Sequence, residues 1–164
     1  MKQHRLAAGA QDIHGADHAA QHAVFISDLL RGQGDPVPVV IFVPGGGFAR
    51  PMSKGRVTWA SGIADKGFLT VVADYRGYDS APFPAPVEDL VTAIRFVRKN
   101  AALYGGDPER IVLLGGSAGG YLSLMAAYAG DQFSHPGDDR GVSCEVSGVI
   151  DLYGPVDPLF GGTE

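Results

Sequence analysis

Twice in this chain an apolar run leads straight into a cluster of glycines. Val37–Val43 (VPVVIFV) ends in Pro44-Gly45-Gly46-Gly47, and Arg110–Leu114 (RIVLL) ends in Gly115-Gly116-Ser117-Ala118-Gly119-Gly120. A strand with one wet face alternates apolar and polar residues, so short continuous apolar runs read as strands buried on both faces. Phe68–Tyr75 (FLTVVADY) is another buried strand and Val146–Tyr153 (VSGVIDLY) a last one. His22–Leu29 (HAVFISDL) has a strand composition and is expected to pair as a hairpin with a short segment at Asp12–His14.

Helical patterns fill the gaps. Trp59–Lys66 predicts a short helix stopped at Gly67, and Tyr121–Tyr128 a helix ending at Gly130. The clearest is Pro86–Tyr104, where Val87, Leu90, Val91, Ile94, Val97 and Leu103 are read as one apolar face recurring at spacings of three and four; Pro86 suits the first turn and Gly105-Gly106 the stop. Buried strands alternating with helices predict βαβ units with right-handed crossovers. The expected fold class is therefore α/β, a mostly parallel sheet with helices on both faces. No repeat or linker divides the 164 residues, so residues 11–164 read as one domain behind a mobile tail at 1–10.

Composition excludes several classes. Lys and Arg total 13 against 18 Asp and Glu, a net charge of −5, so no basic surplus exists to neutralise nucleic-acid phosphates or an anionic membrane. No apolar run reaches about 18 residues, and the first 22 contain no apolar signal core; the expected location is cytoplasmic. One cysteine, Cys144, leaves no internal disulfide and no cysteine zinc cluster. His14, His18 and His22 share a four-residue spacing that would suit a metal on one helix face, but Gly15 interrupts that helix. No metal and no cofactor are expected.

Chemistry concentrates at the two glycine clusters. Gly115-Gly116-Ser117-Ala118-Gly119 is a G-x-S-x-G between a strand and a helix, the setting of a nucleophile elbow. There a serine sits on a strained turn, with the positive end of a helix aimed at the reacting centre. A plain glycine turn is the alternative. Gly45–Gly47 can turn backbone N–H groups inward with no Cβ in the way, as acyl transfer requires of oxyanion donors. A phosphate loop is the competing reading, weakened because no lysine follows either cluster and no G-x-G-x-x-G opens a helix.

With these residues in place the chain resembles the α/β-hydrolase superfamily, in particular carboxylesterases of the hormone-sensitive-lipase-like and feruloyl or acetyl-xylan esterase-like type. The matching pieces keep the family order. They are Gly45-Gly46-Gly47-Phe48, Asp74-Tyr75-Arg76, Phe83-Pro84-Ala85-Pro86 leading into Glu88-Asp89-Leu90, Tyr104-Gly105-Gly106-Asp107-Pro108 and Gly116-Ser117-Ala118-Gly119-Gly120. Leu159–Glu164 also matches a segment found after the sixth strand of such enzymes. The resemblance implies Ser117 as nucleophile of a small soluble ester and the N–H groups of Gly46, Gly47 and Ala118 as oxyanion hole. Two positions depart from the family. Pro44 stands where a histidine usually precedes the glycines, and Gly116 where His, Asp or Glu usually precedes the serine.

The family places its acid and its histidine on later βα loops, in that order after the serine. Two further strand-and-helix units of roughly 30 residues each would deliver them, so the expectation is a hydrolase fold lacking its last strands and helices, with about six strands present and weak or incomplete catalysis. Asp151 and Asp157 are candidate acids. His135 is a candidate base, although a helix leads it away from the elbow. Asp74 and Arg76 are expected to form an ion pair that fixes the loop after the third strand. A different class of function is also open: a non-catalytic assembly or binding module that keeps the elbow. In either case an apolar sheet edge at the last strand predicts a homodimer or larger homo-oligomer.

Overall fold

A computed structural model of the protein describes residues 23–26, 34–49 and 53–156. The elements run β1 (Ala23–Ile26), β2 (Val37–Val43), α1 (Ser53–Ala64), β3 (Leu69–Ala73), α2 (Ala85–Asn100), β4 (Gly106–Gly116), α3 (Ala118–Ala129) and β5 (Gly148–Leu152). One sheet of spatial order β1-β3-β2-β4-β5 holds all five strands. β1 is antiparallel to β3, and the four others run parallel. The segment at 12–14 expected to pair with β1 lies outside the described residues, as do the tail, His14, His18, His22, Asp157 and residues 159–164. Five strands, rather than about six, are therefore seen among the described residues.

β2 shows why both sheet faces are dry. Val39, Ile41 and Val43 point to one side, where Leu69 and Val71 of β3 and Ile111 and Leu113 of β4 join them under Leu90, Ile94 and Val97 of α2 and Leu122 of α3. Phe42, one residue out of phase, faces the other way and packs with Val72 and with Ala60 of α1. The alternation follows from the period of two along a strand, and continuous apolar character is what a strand between two helical layers needs.

Helix limits differ from the sequence reading at their ends. α1 starts earlier than Trp59, at Ser53, and closes at a left-handed Gly67 (φ 90°). α2 ends at Asn100 and passes into a 3-10 turn at Ala101–Tyr104, which a left-handed Gly105 (φ 78°) terminates. The register of this ending follows from Gly106: a Cβ there would press on Leu69 and Val39, so the chain must re-enter the sheet with no side chain. β4 therefore begins at Gly106, ahead of the apolar residues that announce it.

A buried charge cluster ties the connection between α3 and β5 to α2. Arg95, whose side chain is 6% exposed, pairs with Asp138, whose side chain is 2% exposed, at 2.8 Å. It also donates to Ser134 Oγ and to the carbonyl of Val142. Asp138 in turn accepts from Thr92 Oγ1 (2.6 Å) and from the His135 N–H (3.1 Å). Cys144 closes the cluster against Asp131 and Arg95; burial is the main reason its thiol ionises less readily than usual. Among the described residues no helix is long and apolar enough to cross a membrane, and no group of three or more His, Cys, Asp or Glu is placed to hold a metal ion.

Removing one partner of a desolvated, fully bonded pair strands the other charge. Asp138→Ala is expected to cost about 3–5 kcal/mol, read as a shift of the urea unfolding midpoint. A change below about 1 kcal/mol would show that the cluster does not hold the connection in place.

Candidate active site

The C-terminal ends of β2, β4 and β5 converge at Ser117. Ser117 is the N-cap of α3 with φ 54° and ψ −126°, a left-handed backbone that costs a non-glycine residue about 1–3 kcal/mol. The turn is held from both sides. The Ser117 N–H donates to the Leu152 carbonyl at the end of β5 (2.9 Å), while the Ser117 carbonyl accepts from the N–H groups of Gly120 (2.9 Å) and Tyr121 (3.2 Å).

The turn closes only because its neighbours lack side chains. A Cβ on Gly119 would collide with the Val43 carbonyl, and one on Gly115 with the Gly119 carbonyl. A Cβ on Gly45 would stand 2.7 Å from the Gly116 carbonyl oxygen and 3.3 Å from Ser117 Cβ. These approaches bring the loop after β2 against the elbow. Gly45, Gly46, Gly116 and Ser117 border one cavity of about 200 Å³, whose remaining wall is Phe42, Trp59, Leu152 and Tyr153. Ala118 is the first helical residue of α3, so its N–H has no intrahelical acceptor and carries part of the helix's positive end.

The loop after β2 bends through two consecutive left-handed residues, Gly47 (φ 61°) and Phe48 (φ 61°). The segment after β3 holds it. Tyr75, 3% exposed, donates its hydroxyl to the Pro44 carbonyl (2.8 Å), and the Tyr78 N–H donates to the Phe48 carbonyl (2.8 Å). Phe48 stacks on Tyr78 at 5.2 Å and meets Tyr121 edge-on at 5.5 Å. Gly77 passes so close to the Ala49 carbonyl that no Cβ fits. Burial first, and Asp74 second, push Tyr75 ionisation well above the ordinary phenol range, so its hydroxyl remains a donor. Tyr78 and Gly77 escaped the sequence reading, and Tyr75 stood in it only as part of Asp74-Tyr75-Arg76, with no role of its own; the contacts form only when β3 lies beside β2.

The ion pair of this loop has a different acceptor from the one expected. Arg76 Nε and Nη2 form a fork on Asp89 of α2 at 2.8–3.0 Å, and the Arg76 N–H adds a further bond to the same carboxylate (2.8 Å). Asp74 Oδ1 accepts the Tyr75 N–H instead (3.1 Å). Asp89, in the first turns of α2, offers both carboxylate oxygens to the guanidinium, the two-pronged geometry that makes such a pair strong.

His135 lies beyond the far end of α3, a helix of about 18 Å at 1.5 Å per residue. There its Nδ1 accepts the Gly137 N–H (3.2 Å). The structure does not bring it to Ser117. Asp151 does sit near the elbow, paired in register with Gly115. Its Oδ1 accepts the Gly154 N–H (2.8 Å) and packs where a Cβ on Gly120 would be. It buckles the turn after β5.

A mostly parallel sheet, a serine on a strained turn between strand and helix, and a glycine loop facing it are the layout of an α/β hydrolase. The chain belongs to the BD-FAE family within that fold, whose model matches residues 29–160. It is 34% identical over 125 residues to Esterase LipC of Mycobacterium tuberculosis, covering 74% of this chain and 31% of that protein. Among solved structures it is similar to the propionate-bound esterase Est2 of Thermogutta terrifontis, with TM-score 0.70, 27% identity and coverage of 80% of this chain and 49% of that one. An acetyl ester-xyloside bifunctional hydrolase from Caldicellulosiruptor lactoaceticus gives TM-score 0.66 at 28% identity, covering 81% and 48%. The chain thus spans about a third of that curated relative and about half of these solved chains.

Two substitutions test the geometry. Gly119→Ala is expected to destabilise the fold by at least about 2 kcal/mol, since backbone rather than a movable side chain blocks the methyl group. Tyr75→Phe leaves a buried carbonyl unsatisfied and is expected to cost about 1–3 kcal/mol. Thermal unfolding of each variant beside the parent decides; a neutral Gly119→Ala would mean the elbow is looser than described.

Proposed function

We infer that this chain carries the nucleophile half of an esterase-type serine hydrolase, with Ser117 as the attacking residue on small soluble esters. The observation that supports this most is the left-handed Ser117 at the N-terminus of α3, with Gly45 and Gly46 across the cavity from it. Strain of this kind persists where surrounding structure over-determines it, and here the close approaches at Gly45, Gly115 and Gly119 do so. The relatives' names favour an esterase over the alternative of a non-catalytic binding module.

In this reading Ser117 Oγ forms a bond to the ester carbonyl carbon, and the carbonyl oxygen becomes an oxyanion. The N–H groups of Gly46, Gly47 and Ala118 receive that charge, helped by the positive end of α3. Collapse of the intermediate expels the alcohol and leaves an acyl-serine, which water then hydrolyses. Proton transfer from Ser117 requires a base. His135, the one histidine among the described residues, is too far along α3 to serve within one chain, and Asp151 is engaged with Gly154. Asp157 as an acid belongs to the same proposal.

β5 is one of the two edge strands of the sheet among the described residues, and Ile150 on it is half-exposed, with Tyr153 and Val156 exposed nearby in sequence. Pairing of this edge with a second copy would cover it, giving a homo-oligomer.

Ser117→Ala is expected to remove hydrolysis of p-nitrophenyl acetate above the buffer rate and to abolish labelling by a fluorophosphonate. Equal labelling of both proteins would exclude Ser117 as the nucleophile. Light scattering at micromolar concentration is expected to show a dimer or larger species, and a clean monomer would remove the edge-pairing proposal.

A further inference from the structure

Ser117 is not the only strained residue at the cavity. Tyr153, the first residue after β5, also holds left-handed backbone, with φ 51°. Burial does not account for it, because Tyr153 is 77% exposed. The conformation is fixed by its neighbours. The Gly154 N–H is bonded to Asp151 Oδ1, and a Cβ on Gly154 would lie 2.8 Å from the Tyr121 nitrogen, so the turn is pinned against the start of α3.

The consequence lies in where the phenol goes. A methyl group on Gly116 would stand 3.1 Å from Tyr153 Oη and 3.3 Å from Cζ. The ring therefore stands directly beside the space that a side chain at 116 would claim, and anything longer than alanine would overlap it. Gly116 immediately precedes Ser117, and all three residues border the same cavity. Trp59, Phe42 and Leu152 also line it, and none of the residues bordering the cavity carries a charge. An uncharged group fits such a wall, and about 200 Å³ suits a short acyl chain.

We propose that Tyr153 is a specificity-determining wall of the Ser117 pocket that restricts it to short, uncharged acyl groups, and that the absence of a side chain at Gly116 is what admits the phenol. This rests on Ser117 being the nucleophile. The strained turn after β5 then has a purpose: it aims the ring across the elbow instead of out along the strand.

The test compares p-nitrophenyl acetate, butyrate and octanoate for the parent chain, Tyr153→Ala, Tyr153→Phe and Ser117→Ala, with far-UV circular dichroism confirming each fold. Tyr153→Ala is expected to raise the octanoate-to-acetate ratio of kcat/KM about tenfold or more, the size of effect that a few methylenes in an apolar pocket produce. Tyr153→Phe, which keeps the ring, is expected to shift that ratio less than about threefold. An unchanged ratio in folded Tyr153→Ala overturns the wall role while leaving Ser117 in place. Hydrolysis that survives in Ser117→Ala, or none in the parent, overturns the nucleophile assignment and the wall role with it. Trp59 is the single tryptophan of the chain and gives a readout free of turnover. Its emission is expected to respond to butyrate but not octanoate in the parent, and to both in Tyr153→Ala; an equal response to octanoate in the parent also overturns the proposal.

Discussion

Three backbones meet at the candidate site more closely than side chains allow. The end of β2, the turn after β4 and the first turn of α3 touch through Gly45, Gly115 and Gly119, each facing a carbonyl oxygen or peptide atom where a Cβ would be. Hydrogen bonds alone do not explain such proximity, since they are equally available at ordinary spacing. What the approach achieves is positional: the serine of the turn, the N-terminus of α3 and the glycine loop after β2 share one small volume. Preorganised dipoles act most strongly on developing charge at such short range.

The rest of the molecule can be understood as support for that meeting point. Tyr75 and the stacked Phe48–Tyr78 pair hold the glycine loop from the β3 side. The fork from Arg76 to Asp89 fixes the segment carrying those tyrosines to the start of α2. Arg95 and Asp138 do the equivalent further along α2, securing the long connection that delivers β5. Each of these ties joins elements distant in sequence, so none is satisfied until the sheet has formed.

That distinction decides what the sequence disclosed. The buried strands at Val37–Val43 and Arg110–Leu114 were legible because continuous apolar character has few other causes. The elbow was legible because glycines flanking a serine between strand and helix have a steric reason to be there. The partner of Arg76 was not legible: Asp74 is nearer in sequence, but the fold lays the start of α2 beside the guanidinium and supplies Asp89. The role of Asp151 was hidden for the same reason, since its acceptor function belongs to a turn with Gly154. Gly116 was visible as a missing side chain, yet only the arrangement of β5 shows a phenol standing beside it.

One bond sets an order of events. The N–H of Ser117 is bonded to the carbonyl of Leu152, in a strand that is synthesised well after the elbow and pairs beside it. The strained serine therefore depends for its geometry on chain that follows it. During synthesis the elbow segment leaves the ribosome without its clamp, free to relax to an ordinary turn. The geometry of Ser117 is thus completed late, when the sheet accepts its last described strand.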